Sequence, residues 1–210
     1  APNEVTLDGY VDTTQRENTV LSGNLVNEST LGGMQHRFLA GAEFVKTRSD
    51  QDRWNTFWSA TADDKETFFV NRPLQVLGGI GVNSSGAPTT NDFYVDLNDD
   101  TQVSIDVYSA FIQDEISITE KFDIVLGARF DHFAIDVFNV PNNDESSRTD
   151  EEVSPRLGVV FKPAANMSLY ASYSESFLPR SGEQFANING SKGQLDPNTF
   201  ENMELGFKWD

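Results

Sequence analysis

"SLYASYSESFLPRSGEQF", Ser168 to Phe185, opens on an alternation. Leu169, Ala171 and Tyr173 share one parity, and Ser168, Tyr170, Ser172 and Ser174 the other. A period of two is that of a β-strand with one apolar and one polar face. The apolar face must meet something: a protein core, or lipid. Which of the two it meets decides the fold.

The same alternation recurs along the chain. In "FDIVLGARFDHF" Phe122, Ile124, Leu126, Ala128 and Phe130 alternate with Asp123, Val125, Gly127, Arg129 and Asp131. In "YSAFIQDEISI" the set Tyr108, Ala110, Ile112, Ile116 and Ile118 is interrupted only by Asp114. Leu157, Val159 and Phe161 form a further set, as do Met203, Leu205, Phe207 and Trp209, and Phe38, Ala40, Ala42 and Phe44. These readings predict roughly eight strands, at about 4–12, 18–27, 35–46, 103–118, 122–138, 153–162, 167–176 and 200–209. No segment carries a helical stripe with caps.

The connections sort by length. "TEK", "PAAN" and "ESTLGGM" are short, whereas 47–102, 139–152 and 177–199 are long. In an up-and-down meander successive turns fall on alternate ends. Short turns therefore gather on one side and, "TTQREN" excepted, long loops on the other, as in outer-membrane barrels. The expected fold is all-β: part of an antiparallel, up-and-down transmembrane β-barrel. The two faces agree with it. Arg129, Asp131, Arg156 and Glu204 fall on the face assigned to the lumen, while Phe122, Phe161, Tyr173 and Trp209 are candidates for an aromatic girdle. The alternatives are a soluble β-sandwich binding module whose apolar faces meet each other, and a self-contained small barrel acting as an adhesin or structural protein.

Composition narrows the function classes. Fifteen basic against 33 acidic residues give a net charge of −18, which argues against a nucleic-acid partner. The absence of cysteine excludes disulfides, a thiolate nucleophile and cysteine metal sites. His36 and His132 have no metal-ligand spacing, no Ser–His–Asp order stands out, and no phosphate-binding glycine loop precedes a helix. Nothing therefore suggests an enzyme, a metal centre or a cofactor. No apolar run is long enough for a transmembrane helix, which leaves strand-based spanning open.

In order, "VSPRLGVVFKPAANMSLYASYSESFLPRSGEQF" and "LDPNTFENMELGFKWD" resemble the C-terminal half of TonB-dependent siderophore receptors. "YSAFIQDEISITEKFDIVLGARFDHF" is similar to the preceding hairpin, and "HRFLAGAEF" to an earlier strand. The resemblance implies a transporter in the outer membrane of a Gram-negative bacterium, bound to lipid and lipopolysaccharide, that takes up a ferric siderophore. TonB would supply energy through a plug region to which nothing in these residues is similar. Receptors of this kind have about 22 strands around a plugged lumen. The 210 residues are accordingly expected to be one partial barrel domain.

Candidate ligand-binding residues sit in the long loops. "RSDQDRWNTFW" offers Arg53, Trp54, Phe57 and Trp58, "NDFYVD" offers Phe93 and Tyr94, and the last loop offers Arg180 and Phe185. Aromatic faces and guanidinium forks suit an iron chelate, by stacking and charge pairing. The competing reading is that these side chains pack the loops on themselves. "DLNDD", Asp96 to Asp100, is similar to the start of a calcium loop but has Thr101 and Tyr108 where glycine and glutamate are required. "NNDESSRTDEE" reads as a solvated acidic loop.

Overall fold

A computed structural model describes residues 4–69, 80–179 and 197–209. Among them there are ten strands and no helix: β1 Glu4–Asp8, β2 Tyr10–Leu31, β3 Met34–Trp58, β4 Lys65–Phe69, β5 Ile80–Val82, β6 Pro88–Thr119, β7 Phe122–Asn139, β8 Asp144–Ala164, β9 Met167–Leu178 and β10 Asn198–Trp209. One sheet runs in the order β10-β9-β8-β7-β6-β3-β2, with β5 paired to β6. β1 and β4 form a separate antiparallel pair. The meander expected from the alternation is therefore present. β2 and β10 end the sheet path instead of pairing with each other, so among the described residues the sheet does not close into a small barrel.

Each short turn has its own chemistry. Gly32 and Gly33, at φ 62° and 83°, join β2 to β3. Two consecutive positive-φ residues make the hairpin turn whose twist matches that of the strands. Residues 120–121 and 165–166 make the other tight links. Pro163 has no N–H to donate to the ladder, and the β8–β9 register shifts between Phe161 and Ala164.

Several boundaries differ from those read in the sequence. β2 runs unbroken through "TTQREN", where a turn between two strands was expected, and Glu4–Asp8 pairs with β4 instead. Polar cross-strand contacts hold β2 where apolar alternation fails: Thr47 Oγ1 donates to Asn18 Oδ1 at 2.8 Å, and Thr13 Oγ1 to Asp52 Oδ2 at 3.1 Å. β3, β6 and β8 likewise extend into the stretches 47–102 and 139–152. The β7–β8 connection shrinks to residues 140–143, with Asn143 at φ 50°. Backbone ladders continue there although the hydrophobic period does not.

The described residues belong to two compact units. The larger comprises Glu17–Arg48, Val103–Val137 and Glu145–Asp210. Its apolar face is uncovered: Tyr108, Ile112, Ile118, Leu126 and Phe130, on strands with neighbours on both sides, are 40–53% exposed. A β-sandwich would bury that face. The Asp114 interruption is resolved by His36, on the same face of β3, whose Nδ1 lies 2.8 Å from Asp114 Oδ2. What core this unit has lies on the opposite face, where Val103, Phe133, Ile135 and Val137 cluster with Ile105 and Val107.

The smaller unit comprises Ala1–Arg16, Ser49–Gln102 and Phe138–Asp144. Its interior is mostly polar: Asn55, Thr56, Glu66, Asn83, Thr89 and Asn91 are buried alongside Trp58. Thr56 Oγ1 donates to the Gly9 carbonyl at 3.2 Å, and Trp58 packs edge-on against Phe68 with centroids 5.2 Å apart.

Candidate functional site

On the polar face of the larger unit, the alternation of β7 places Arg129 and Asp131 side by side. Arg129 Nε donates to Asp131 Oδ1 at 2.9 Å, and its Nη2 donates to Ser109 Oγ at 2.7 Å and to Glu43 Oε1 at 3.2 Å. Ser109 Oγ donates to the same Asp131 carboxylate at 2.5 Å, and the Arg129 guanidinium lies 5.9 Å from the Phe111 ring centroid. Asp131 is buried, which such a charge tolerates only when it is paired and hydrogen-bonded. Two carboxylates thus surround one guanidinium across β3, β6 and β7, leaving one negative charge in excess. Arg129 and Asp131 were legible as inward charges. Glu43 and Ser109 were legible only as members of the polar parity.

Arg156 and Glu204 lie on the same face of the sheet but do not join that network. Arg156 lines an open cavity of about 570 Å³ together with Gln113, Arg129, Asp131, Ser154 and Ser174. Glu204 accepts a hydrogen bond from Tyr170 Oη at 2.7 Å across the β9–β10 ladder. The four residues expected on one wall therefore divide into a closed network, an exposed cation and an edge carboxylate.

The loop candidates divide as well. Arg53 is committed within its own unit: Nε and Nη2 donate to Asp12 Oδ1 and Oδ2 at 2.7 and 2.8 Å, and the guanidinium stacks 4.4 Å from the Tyr10 ring centroid. The bidentate hydrogen bond holds the Asp12 carboxyl below, and raises the Arg53 guanidinium above, their ordinary pKa values. Trp58 is buried in the unit interior, as loop self-packing predicts, while Trp54 and Phe57 are half-buried. Phe93 and Tyr94 are 51% and 48% exposed, with centroids 6.1 Å apart. Tyr94 has φ 57°, a left-handed conformation that a bulky side chain rarely adopts. Arg180 and Phe185 lie outside the described residues. Tyr10 and Asp12, the partners of Arg53, were missed in the sequence because the β2–β3 register that brings them together is not written there.

Three carboxylates, those of Asp50, Asp52 and Asp100, come within 4.8 Å of one another. Burial, and then repulsion from Asp52, Asp50 and Asp99, raises the Asp100 pKa. The neighbours of Asp100 are thus mainly aspartates of β3, not the start of a calcium loop along "DLNDD". Asp99 is occupied separately, accepting hydrogen bonds from Thr101 Oγ1 at 2.7 Å and Asn139 Nδ2 at 3.2 Å.

An uncovered apolar face, a charge network on the opposite face and long strands joined by tight turns at one end describe a wall between lipid and a polar interior. The family model for the TonB-dependent receptor-like β-barrel matches residues 3–210. The chain belongs to the TonB-dependent receptor β-barrel family. It is 27% identical over 197 residues to the probable TonB-dependent siderophore receptor PiuA of Acinetobacter baumannii, covering 89% of this chain and 26% of that protein. It is 25% identical over 190 residues to the ferrichrome outer membrane transporter/phage receptor of Escherichia coli, covering 88% of this chain and 24% of that one. The chain thus spans about a quarter of the length of these relatives. In fold it matches the crystal structure of the siderophore receptor PiuA with a TM-score of 0.74 at 22% identity, over 95% of this chain and 30% of that one. It matches the unliganded ferric citrate transporter FecA with a TM-score of 0.71 at 17% identity, over 100% of this chain and 27% of that one.

Members of the TonB-dependent receptor family are outer-membrane receptors and transporters of Gram-negative bacteria. In a TonB-dependent barrel, the face with Tyr108, Ile112 and Leu126 is the one turned to lipid. Phe44 and Tyr108, with ring centroids 5.0 Å apart, end the apolar stretch on β3 and β6. Beyond them, on the same face, the Lys46–Asp106 ion pair follows at 3.2 Å.

Proposed function

We propose that this chain forms part of the wall and outer loops of an outer-membrane receptor that takes up a ferric siderophore, with TonB supplying the energy through a plug region. The observation that carries the membrane part is the exposed apolar face. From Tyr108 to Ile118 on β6 that face covers about 34 Å of strand. At the usual barrel tilt of ~40° this spans ~26 Å along the membrane normal, close to the height of an outer-membrane apolar band. Such a face suits the acyl chains of lipid and lipopolysaccharide. The siderophore part rests on the receptors to which the chain is similar, and on the chemistry of its outer loops.

The binding surface we assign to the far ends of β3 and β6 and to the last loop is aromatic. Phe93 and Tyr94 present exposed rings, and Trp54 and Phe57 contribute half-buried ones. Arg180 and Phe185 of the last loop complete the set of candidates. Arg53 serves differently from a free fork: paired to Asp12 and stacked on Tyr10, it braces β3 against β2. Arg129, Asp131, Arg156 and Glu204 line the lumen. The test is ⁵⁵Fe uptake by iron-starved cells, with and without the gene, from ferric hydroxamate and ferric catecholate chelates. Uptake that requires the gene and collapses with an uncoupler of the proton gradient supports the reading. Equal uptake in both strains from every chelate overturns it.

A further inference from the structure

The far end of β6 is exposed at every position from Asp92 to Asn98. Four of these side chains are aromatic or aliphatic: Phe93, Tyr94, Val95 and Leu97, the last two 57% and 39% exposed. A regular strand would send the rings of Phe93 and Tyr94 to opposite faces. The positive φ of Tyr94 breaks that alternation, and the ring centroids lie 6.1 Å apart. Asp92 and Asp96, both exposed, flank the rings in sequence. Charge around this run is mostly of one sign. The smaller unit carries 13 acidic residues against four basic ones. Of its described cations, Arg53 is closed on Asp12, and Lys65 lies 3.6 Å from Asp8 and 3.9 Å from Asp64, which leaves Arg16. Asp50, Asp52 and Asp100, whose carboxylates gather within 4.8 Å, have no ion-pair partner among the described residues.

An iron chelate brings its own charge to such a surface. Three hydroxamates carry as many negative charges as ferric iron has positive ones, so their complex is neutral, or cationic where the ligand keeps an ammonium group. Three catecholates carry twice as many, and their complex is a trianion. A trianion is held by uncommitted cations at close range, and rings set among carboxylates repel it instead. The same rings stack on an uncharged chelate, and the carboxylates attract an ammonium group. We propose that Phe93, Tyr94, Val95 and Leu97, with Asp92 and Asp96 among them, select a neutral or cationic hydroxamate chelate over a catecholate trianion. This rests on the transport reading above and names the class of its cargo. The apolar side chains supply contact with the flank of the chelate. The carboxylates supply the discrimination by charge.

The experiment measures gene-dependent ⁵⁵Fe uptake by iron-starved cells that carry the complete receptor and lack other receptors for the probes. Ferrioxamine B keeps a free ammonium group and is cationic. Its N-acetyl form is neutral and its N-succinyl form anionic, on one hydroxamate core. Ferric enterobactin supplies the catecholate trianion. Uptake efficiency is expected to fall in that order, with the cationic and neutral forms at least ~10-fold ahead of the trianion. Asp92→Asn combined with Asp96→Asn narrows the gap between the cationic and succinylated forms at least ~2-fold. Asp92→Lys combined with Asp96→Lys narrows it further, and heat-modifiable mobility checks that both variants fold. Uptake of ferric enterobactin equal to or above that of the N-acetyl form overturns the proposal and leaves the transport reading standing. So does a folded Asp92→Lys, Asp96→Lys variant with the gap unchanged. Gene-dependent uptake of none of the four chelates overturns the transport reading and this inference with it.

Discussion

Gly41 lies in the middle of β3, where β2 and β6 both press against it, and Gly41→Ala tests the packing of the polar face directly. A Cβ at this position would fall 2.4 Å from Phe111 Cζ, 2.8 Å from Asn24 Oδ1 and 2.9 Å from the Gly23 carbonyl oxygen. The first two atoms belong to side chains that can turn aside. The third is backbone and moves only with the β2 ladder. Overpacking of this kind costs about 1–3 kcal/mol. Restricting the unfolded chain by replacing glycine returns about 0.5–1 kcal/mol. The expected net loss is ~1–2 kcal/mol. Gly23→Ala is the control: nothing lies within 4 Å of its added Cβ. It is expected to be neutral or to gain ~0.5 kcal/mol. Guanidinium unfolding in detergent micelles, followed by tryptophan fluorescence, measures both. Phe111→Ala opens room for the new methyl, so the double variant recovers at least ~0.5 kcal/mol relative to additivity. If Gly41→Ala matches Gly23→Ala in stability, or costs the same with and without Phe111, the close approach assigned to this glycine is wrong.

Other substitutions probe the charged and aromatic groups. Asp131→Ala strands the Arg129 guanidinium with only Glu43, and because Arg129 keeps some contact with water the expected cost is about 2 kcal/mol by the same unfolding assay. The Asp12–Arg53 pair is half-exposed and worth ~0.5 kcal/mol. Because folding lowers the Asp12 pKa, that stability is present above about pH 4 and is lost as pH falls through the lower folded value. Limited proteolysis of the outer segment across pH 2–6 shows this acid-side loss, and Arg53→Gln abolishes it. Asp100 has the opposite sign: its pKa is raised on folding, so its contribution is present at low pH and is lost as pH rises through the folded value. Asp100→Asn is therefore expected to slow proteolysis slightly at pH 7, corresponding to ~0.3 kcal/mol. Tyr94→Gly relieves the positive φ and stabilises its segment by ~1 kcal/mol while removing an exposed ring. Slower proteolysis together with weaker ⁵⁵Fe-chelate binding is the expected outcome, and Tyr94→Ala, which keeps the strain, loses binding alone.

Much of this protein could be read from residue order, because a lipid-facing strand writes its environment into every second position. Phe122, Ile124, Leu126, Ala128 and Phe130 identify a face and a strand without any knowledge of what lies beside them. Short connections were readable for the same local reason, as at "TEK" and "PAAN", although β2 runs on to Leu31 and narrows "ESTLGGM" to Gly32–Gly33. The resemblance carried by "SPRLG", "SLYASYS" and "MELGFK" then named the family that the comparison with known proteins supports. Legibility ended where the environment stopped being two-sided. Through "TTQREN" and along 144–152 the strands continue with both faces polar, and along 47–58 and 88–102 they continue with aromatic and aliphatic residues such as Trp54, Phe57, Phe93 and Leu97 scattered among charges, too short a pattern to mark a strand. Past Asp131 the apolar side even changes face, to Phe133, Ile135 and Val137, which build the core of the larger unit.

What only the tertiary structure decided is which charges meet. Composition alone cannot separate Arg53, closed on Asp12 and Tyr10, from Arg156, which faces an open cavity. Nor can it join Asp114 to His36, or bring Glu43 on β3 to Arg129 on β7 across the intervening β6. Each of these pairings depends on strand register, and a one-residue slip would turn every partner to the other face. Register is set by the whole ladder and its turns, so the faces are a property of local sequence and the contacts are a property of the fold.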